Sequence, residues 1–268
     1  MKIQGIKHAD RGIGVRDHQL ILPSVVCSTH VSRRIATEVG AITFAHQNGC
    51  GIIGIDVSGI DNFFIDLANH PNVNSVVVTA LGCETIQGNE LAEKISQEST
   101  HYLVIQESGG VEGTVARGVA HAKELSAKYP GTVADLDLLT VGLDLSRNVE
   151  NLTQIRALLE QENISIVEAH ERNGSAANFS SLMSQKAHVI LSFPDENQPP
   201  TGFPLIPVIS VAGSGPLHQA IIGEFDLTDK ATPSEILECI LAIANGKKSK
   251  SELSNTGEIV APRAVRSV

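Results

Sequence analysis

The chain has 268 residues, enough to bury one large core or two smaller ones. Its formal net charge is −10 and its one basic cluster is "GKKSK" at 246–250, which makes nucleic acid and anionic membranes poor partners. With no Trp, two Tyr and no apolar run near the ~20 residues of a membrane helix, neither base stacking nor membrane insertion is expected, and a small polar molecule remains as the partner.

The N-terminal "MKIQGIKHADRG" lacks the apolar stretch of a signal peptide, and four cysteines make no disulfide framework, so a cytoplasmic protein with reduced thiols is expected. Next comes "HADRGIGVRDH" (8–18), dense in ionisable groups around two glycines. Arg11 and Arg16 can bind a carboxylate in bidentate fashion with Asp10 and Asp17 orienting them; the alternative is a solvated arm.

Apolar runs predict strands at 19–26, 41–46, 74–81, 101–107, 136–143, 164–170, 187–193 and 205–213. Helical periodicity predicts helices at 28–39, 57–69, 87–97, 111–128, 149–162, 176–186 and 232–245, the last closed by Gly246. The alternation is that of an α/β protein: mostly parallel sheets with flanking helices, in two Rossmann-like halves. A soft boundary falls near 145, giving an N-terminal half 1–145 that holds the unusual stretches and a C-terminal half 146–268. The polar tail 247–268 is expected to pack without regular structure.

Those stretches each follow a strand: "CSTH", "HQNGCG", "GCET", "QESGG" and "DLSRN". In open parallel sheets, ligands sit at the carboxyl ends of the strands, so one edge should collect them. Ser28 and Thr29 are placed to cap the next helix, or to hold a carboxylate or phosphate with its free amides. Gln106 and Glu107 precede two glycines that let a ligand approach the backbone. His46, Cys50 and Cys83, with Glu84 beside the last, have the ligand types of Zn or Fe(II), although a lone Cys in a Gly-rich turn is more often a small buried residue. Cys239 lies on an apolar helix face. No dinucleotide or P-loop fingerprint is present.

In their joint order these motifs resemble the altronate/galactarate dehydratase family. "ADRGIGVRD" is similar to its D-G-R-x-G-x-R-N element, "SVVC" to S-V-x-C, "HQNGCG" to its H-x-x-G-C-G turn, "HPNVNSVVVTALGCE" to its hPN…GLGCE and "IQESGGVEGT" to its IQE-GG-T-T. Near the C-terminus, "GFPLIPVISV" and "ILAIANGKKSKSE" are similar to two more family stretches. The resemblance implies a lyase that dehydrates a sugar acid, an altronate- or galactarate-like hydroxy acid, to a 2-keto-3-deoxy acid with a divalent metal such as iron. It assigns Glu84 and Glu107 to catalysis; Arg11, Arg16, Ser28, Thr29 and Gln106 to substrate; and His46, Cys50 and Cys83 to the metal. The chain departs from the family after "VGL", where a Cys-Gly-Gly-Ser-Asp-Gly run is replaced by "DLSRNVEN". The alternative is therefore a non-catalytic member, a ligand-binding module or partner subunit. A homo-oligomer is compatible with either.

Overall fold

The computed structural model describes residues 3–171 and 175–262, in two compact units. The first is built mainly from Asp17–Thr132 with Lys7–Ile13, the second mainly from Val133–Ile259 with Gly14–Arg16. Strands β1 (Ile3–His8), β2 (Gly12–Gly14) and β6 (Thr132–Leu136) are the segments where the chain passes from one unit to the other.

In the first unit β3 (His18–Pro23), β4 (Val73–Ala80) and β5 (Thr100–Val104) form a parallel sheet in that order, with Ile21 opposite Val77 and Val78 opposite Tyr102. All eight residues of β4 are buried, as expected for a β-branched run covered on both faces. Helices α1 (Thr29–Val39), α2 (Asp56–Ala68), α3 (Gly88–Lys94) and α4 (Gly110–Lys128) fall close to the predicted positions. Ile21, Val31, Ile35, Val77, Leu103, Val115 and Leu125 are part of one apolar cluster.

The strand predicted at 41–46 shrinks to a single parallel bridge, Leu20 to Ile42, on the free edge of β3. The Thr43 hydroxyl donates to the Ile21 carbonyl at 2.8 Å, occupying the acceptor that a continuing ladder would use. Counting this segment, the strands lie in the order second, first, third, fourth.

The second unit has the same order. Strand β7 (Thr140–Asp144) pairs in parallel with β8 (Ser165–Ala169) on one side and β9 (Val189–Ser192) on the other, and β10 (Val208–Ser210) follows β9. Its helices are α5 (Leu152–Gln161), α6 (Ser175–Ser184), α7 (Pro216–Ala220), α8 (Pro233–Ala244) and α9 (Lys250–Ser254). Val141, Leu143, Ile155, Leu191, Ile209 and Ile240 belong to its core.

The α/β class and the parallel sheets expected from the sequence are present, and the two sheets are small. The tail differs from expectation. Ser249 and Glu252 close a capping box that starts α9, so residues 250–254 are helical; residues 263–268 of the predicted tail lie outside the described residues. Among the described residues no helix is long and apolar enough to cross a membrane.

Candidate functional site

A strand order of second, first, third, fourth opens a crevice where the chain leaves the first and third strands in opposite directions, and ligands of open α/β sheets bind there. In the first unit these are the carboxyl ends of β3 and β4. Ser24, just past β3, donates its amide to Thr79 O at 3.0 Å. A 3₁₀ turn, Val26–Ser28, then runs into α1. Ser28 precedes α1 with helical backbone angles, and its hydroxyl donates to Val25 O at 2.9 Å, so it does not cap the helix as the sequence suggested. The Thr29 hydroxyl oxygen is buried and has no hydrogen-bond partner among the described residues. No side chain caps α1; the Ser28 and Thr29 amides donate instead to Val25 O and Val26 O of the 3₁₀ turn that leads into it.

The turn after β4 is organised by Glu84, which is 3% exposed. Its Oε2 accepts the amides of Gly82 (2.7 Å) and Cys83 (2.9 Å), and its Oε1 accepts the Ser24 hydroxyl at 3.0 Å. Three donors satisfy the carboxylate and tie the β3 and β4 loops together. The turn at 48–51 joins them: Asn48 O accepts Val26 N at 3.0 Å, and Gly49 O accepts Thr85 N at 2.7 Å. Gly49 has φ +98°, and a Cβ there would lie 2.4 Å from Ser24 O, so only glycine lets the turn lie this close to the loop after β3.

These bonds bring the Cys50 and Cys83 turns to one edge of one sheet. Cys27, Cys50 and Cys83 are all exposed free thiols on these adjoining loops. His46, in contrast, is buried. Its Nε2 donates to Pro23 O at 2.8 Å while Nδ1 accepts Asn48 N at 3.1 Å, and its ring packs 4.9 Å from that of Phe64. Both nitrogens are occupied by backbone, which leaves neither for an ion. Among the described residues no three His, Cys, Asp or Glu side chains are grouped to hold a metal. The set His46, Cys50 and Cys83 therefore does not fit a metal centre as it stands; His46 pins two loops instead.

Burial lowers the pKa of His46, against the opposing effect of its bond to Pro23. Above the ordinary value of about 6.5 the ring is neutral in both folded and unfolded chains, and stability is unaffected. Below it the unfolded chain takes up a proton that the fold resists, so stability falls as the pH drops towards the folded value. Urea unfolding at about pH 7.5 and about pH 5.5 should show a larger acid loss in the natural protein than in His46→Gln. Equal losses in the two proteins would remove this role.

The arginines are placed differently from expectation. Arg11 lies at the amino edge of the first-unit sheet, 6% exposed, bonded to Ala68 O (2.7 Å), Asn74 O (3.3 Å), Thr100 Oγ1 (3.1 Å), Asp10 (3.1 Å) and Ser99 Oγ. Asn74 and Ser99–Thr100 stand at the starts of β4 and β5, the opposite edge from Glu84. Arg16 belongs to the second unit, where it grips Glu252 through two bonds (2.6 and 2.9 Å) and takes Ile243 O and Lys247 O at the end of α8. Arg11 does not reach the carboxyl edge of its sheet, and each arginine is spent on joining elements of its own unit.

Gln106 and Glu107 do lie at that edge, both exposed. A Cβ on Gly82 would fall 2.8 Å from Gln106 Oε1, so the Gln106 amide lies over the turn that Glu84 holds. Tyr102, absent from the residues singled out in the sequence, joins them from β5. Burial raises its phenol pKa, helped by the charges of Glu84 and Glu107. Two tyrosines in 268 residues were a usable signal, since one of them stands four residues before "QE" in the strand that leads to it.

The family model described as "D-galactarate dehydratase/Altronate hydrolase, second domain" matches residues 5–129, which include every residue of this edge. The altronate dehydratase of Escherichia coli (strain K12) is 26% identical over 155 residues, covering 50% of this chain and 31% of that protein.

Proposed function

We propose that this chain, a divergent member of the D-galactarate dehydratase/altronate hydrolase family through residues 5–129, is a lyase that dehydrates an altronate- or galactarate-like hydroxy acid. The observation that carries this reading is the gathering of the Thr29 hydroxyl at the start of α1, Gln106, Glu107 and Tyr102 around the Glu84 turn, all within the matched residues.

In this reading the substrate carboxylate is received beside the start of α1 by the Thr29 hydroxyl, with Ser28 shaping the turn and Gln106 holding a substrate hydroxyl. Glu107 takes the proton from the carbon next to the carboxylate. The C–O bond at the following carbon breaks, and the hydroxide leaves as water with a proton from the Tyr102 phenol. The enol that remains tautomerises to the 2-keto-3-deoxy acid. Iron or another divalent metal enters no step, because the imidazole expected to bind it is engaged on both sides.

Purified protein incubated with altronate or galactarate should form a 2-keto acid, and Glu107→Gln should lower kcat at least about 100-fold, as for loss of a general base. Turnover unchanged in that variant would sink the assignment. No product from either acid would support the second reading, a ligand-binding module or partner subunit. That reading draws on one observation: the Glu84 carboxylate is taken up by two amides of its own turn and the Ser24 hydroxyl of the facing loop.

A further inference from the structure

Cysteine is among the residue types most often buried, so an exposed thiol offers its reactivity and not its packing. Three of the four cysteines are exposed, and all three stand at the carboxyl edge of the first unit. Cys27 lies in the 3₁₀ turn after β3, Cys50 in the turn at 48–51 and Cys83 in the turn after β4. The fourth, Cys239, lies half-buried on α8, where burial raises its thiol pKa and makes it a poor nucleophile.

Both neighbours of Cys50 are fastened to Thr85, two residues beyond Cys83. Gly49 O accepts Thr85 N at 2.7 Å and Ile86 N at 3.2 Å, and Gly51 N donates to Thr85 Oγ1 at 3.2 Å. Those bonds hold the Cys50 and Cys83 turns side by side. The Cys27 turn is tied to the same loop through Val26 N to Asn48 O at 3.0 Å. It is also closed on itself, because the Ser28 amide and hydroxyl both donate to Val25 O.

A disulfide needs its Cα atoms about 4.4–6.8 Å apart and its Cβ atoms turned towards each other. The Cys50 side has the freedom to meet that demand. Gly49 precedes it at φ +98°, and Gly51 and Gly54 follow at +67° and +71°, so the loop turns on residues that carry no Cβ. The Cys83 side is fixed, because its amide and that of Gly82 are held by Glu84. One thiol stands at a set place and the other can come to it.

We propose that Cys50 and Cys83 are a redox pair, which a peroxide converts into an intrachain disulfide. One thiolate attacks the O–O bond of hydrogen peroxide: an S–O bond forms, the O–O bond breaks and hydroxide leaves, giving a sulfenic acid. The second thiolate attacks that sulfur: the S–S bond forms, the S–O bond breaks and a second hydroxide leaves. The two hydroxides take up the two thiol protons. Two thiols and one peroxide thus become one disulfide and two waters, with two electrons passing from sulfur to peroxide oxygen. A dithiol reductant reverses the change by exchange. The bond locks the Cys50 turn onto the turn that Glu84 holds, which gives the carboxyl edge a free reduced form and a fastened oxidised one. The pairing needs no substrate and does not rest on the lyase reading.

Peptide mapping of the full chain, oxidised while folded with millimolar hydrogen peroxide, tests it. Thiols counted in the denatured product should fall from four to two. Trypsin cuts after Arg33, Arg34 and Lys94, and Asp-N cuts before Asp17, Asp56 and Asp66, which separates Cys27 (17–33), Cys50 (35–55) and Cys83 (66–94). Fragments 35–55 and 66–94 should appear joined, and dithiothreitol should part them. Cys27→Ser should keep this cross-link and Cys50→Ser should abolish it. Should Cys50→Ser fail to fold, the natural protein decides alone: oxidation in urea should spread the pairing over the cysteines, and oxidation of the folded chain should not. A main product that contains Cys27, cross-linked chains, oxidation that runs to sulfinic or sulfonic acid, or four thiols left intact would each overturn the pair.

Discussion

Replacing Arg11 by Met should cost about 3–5 kcal/mol of stability, the range for breaking a buried charged network by removing one partner. The guanidinium serves Ala68 O, Asn74 O, Ser99 Oγ and Thr100 Oγ1 and neutralises Asp10. Met fills the volume but leaves two carbonyls without their donor and the partly buried Asp10 carboxylate with the Ser99 hydroxyl but no counter-charge. Burial lowers the Arg11 pKa to about 10, against the pull of Asp10, so the group stays charged at neutral pH and its loss is felt in full. Arg11→Lys should recover less than half, since an ammonium cannot reach backbone and hydroxyl acceptors on both sides of a planar fork. Urea unfolding measures both variants. A ligand-binding arginine would behave otherwise: Met would be tolerated by the fold, and thermal stabilisation by altronate would vanish. Met with near-natural stability would therefore refute the structural role.

The position of Arg11 was not legible in the sequence, and the reason is physical. Its motif "ADRGIGVRD" precedes a core strand, but nothing in local patterning says at which end of the sheet an arm will lie. That is decided by which carbonyls remain unpaired where β4 and β5 begin. The carboxyl-edge gathering of 24–28, 48–51 and 81–87 was legible, because parallel strands joined by helices deliver every strand-end loop to the same side. Strand β4 was legible for a related reason: a β-branched run fits a strand covered on both faces. The loss of the strand at 41–46 was not, since it turns on one Thr43 hydroxyl bond. His46 misled for the same kind of reason. A histidine near two cysteines has the composition of a metal ligand, yet two backbone groups at 2.8 and 3.1 Å use both of its nitrogens. Helix α9 had a signal that went unused: "SKSE" (249–252) is the S-x-x-E pattern of a capping box, and both of its reciprocal bonds are made.

Glu84 separates the two readings of the carboxyl edge most sharply. Glu84→Ala should destabilise the protein by about 3 kcal/mol, because the Gly82 and Cys83 amides and the Ser24 hydroxyl lose a shared buried acceptor. Glu84→Gln should cost only about 1 kcal/mol. Its amide oxygen can keep the two backbone donors, and its NH₂ can face Ser24, whose hydroxyl has Thr79 O at 3.3 Å as an alternative acceptor. If the carboxylate is an organiser, Gln should preserve most of any turnover of altronate or galactarate, while Glu107→Gln abolishes it. If it moves a proton, Gln should be as inactive as Glu107→Gln despite an intact fold, since an amide cannot exchange a proton at neutral pH. The bonds favour the organiser. A carboxylate that already binds two amides of its own turn and the hydroxyl of the facing loop is held where it stands, and reaching a substrate would break the turn that presents Gln106, Cys83 and the start of α1 to one crevice.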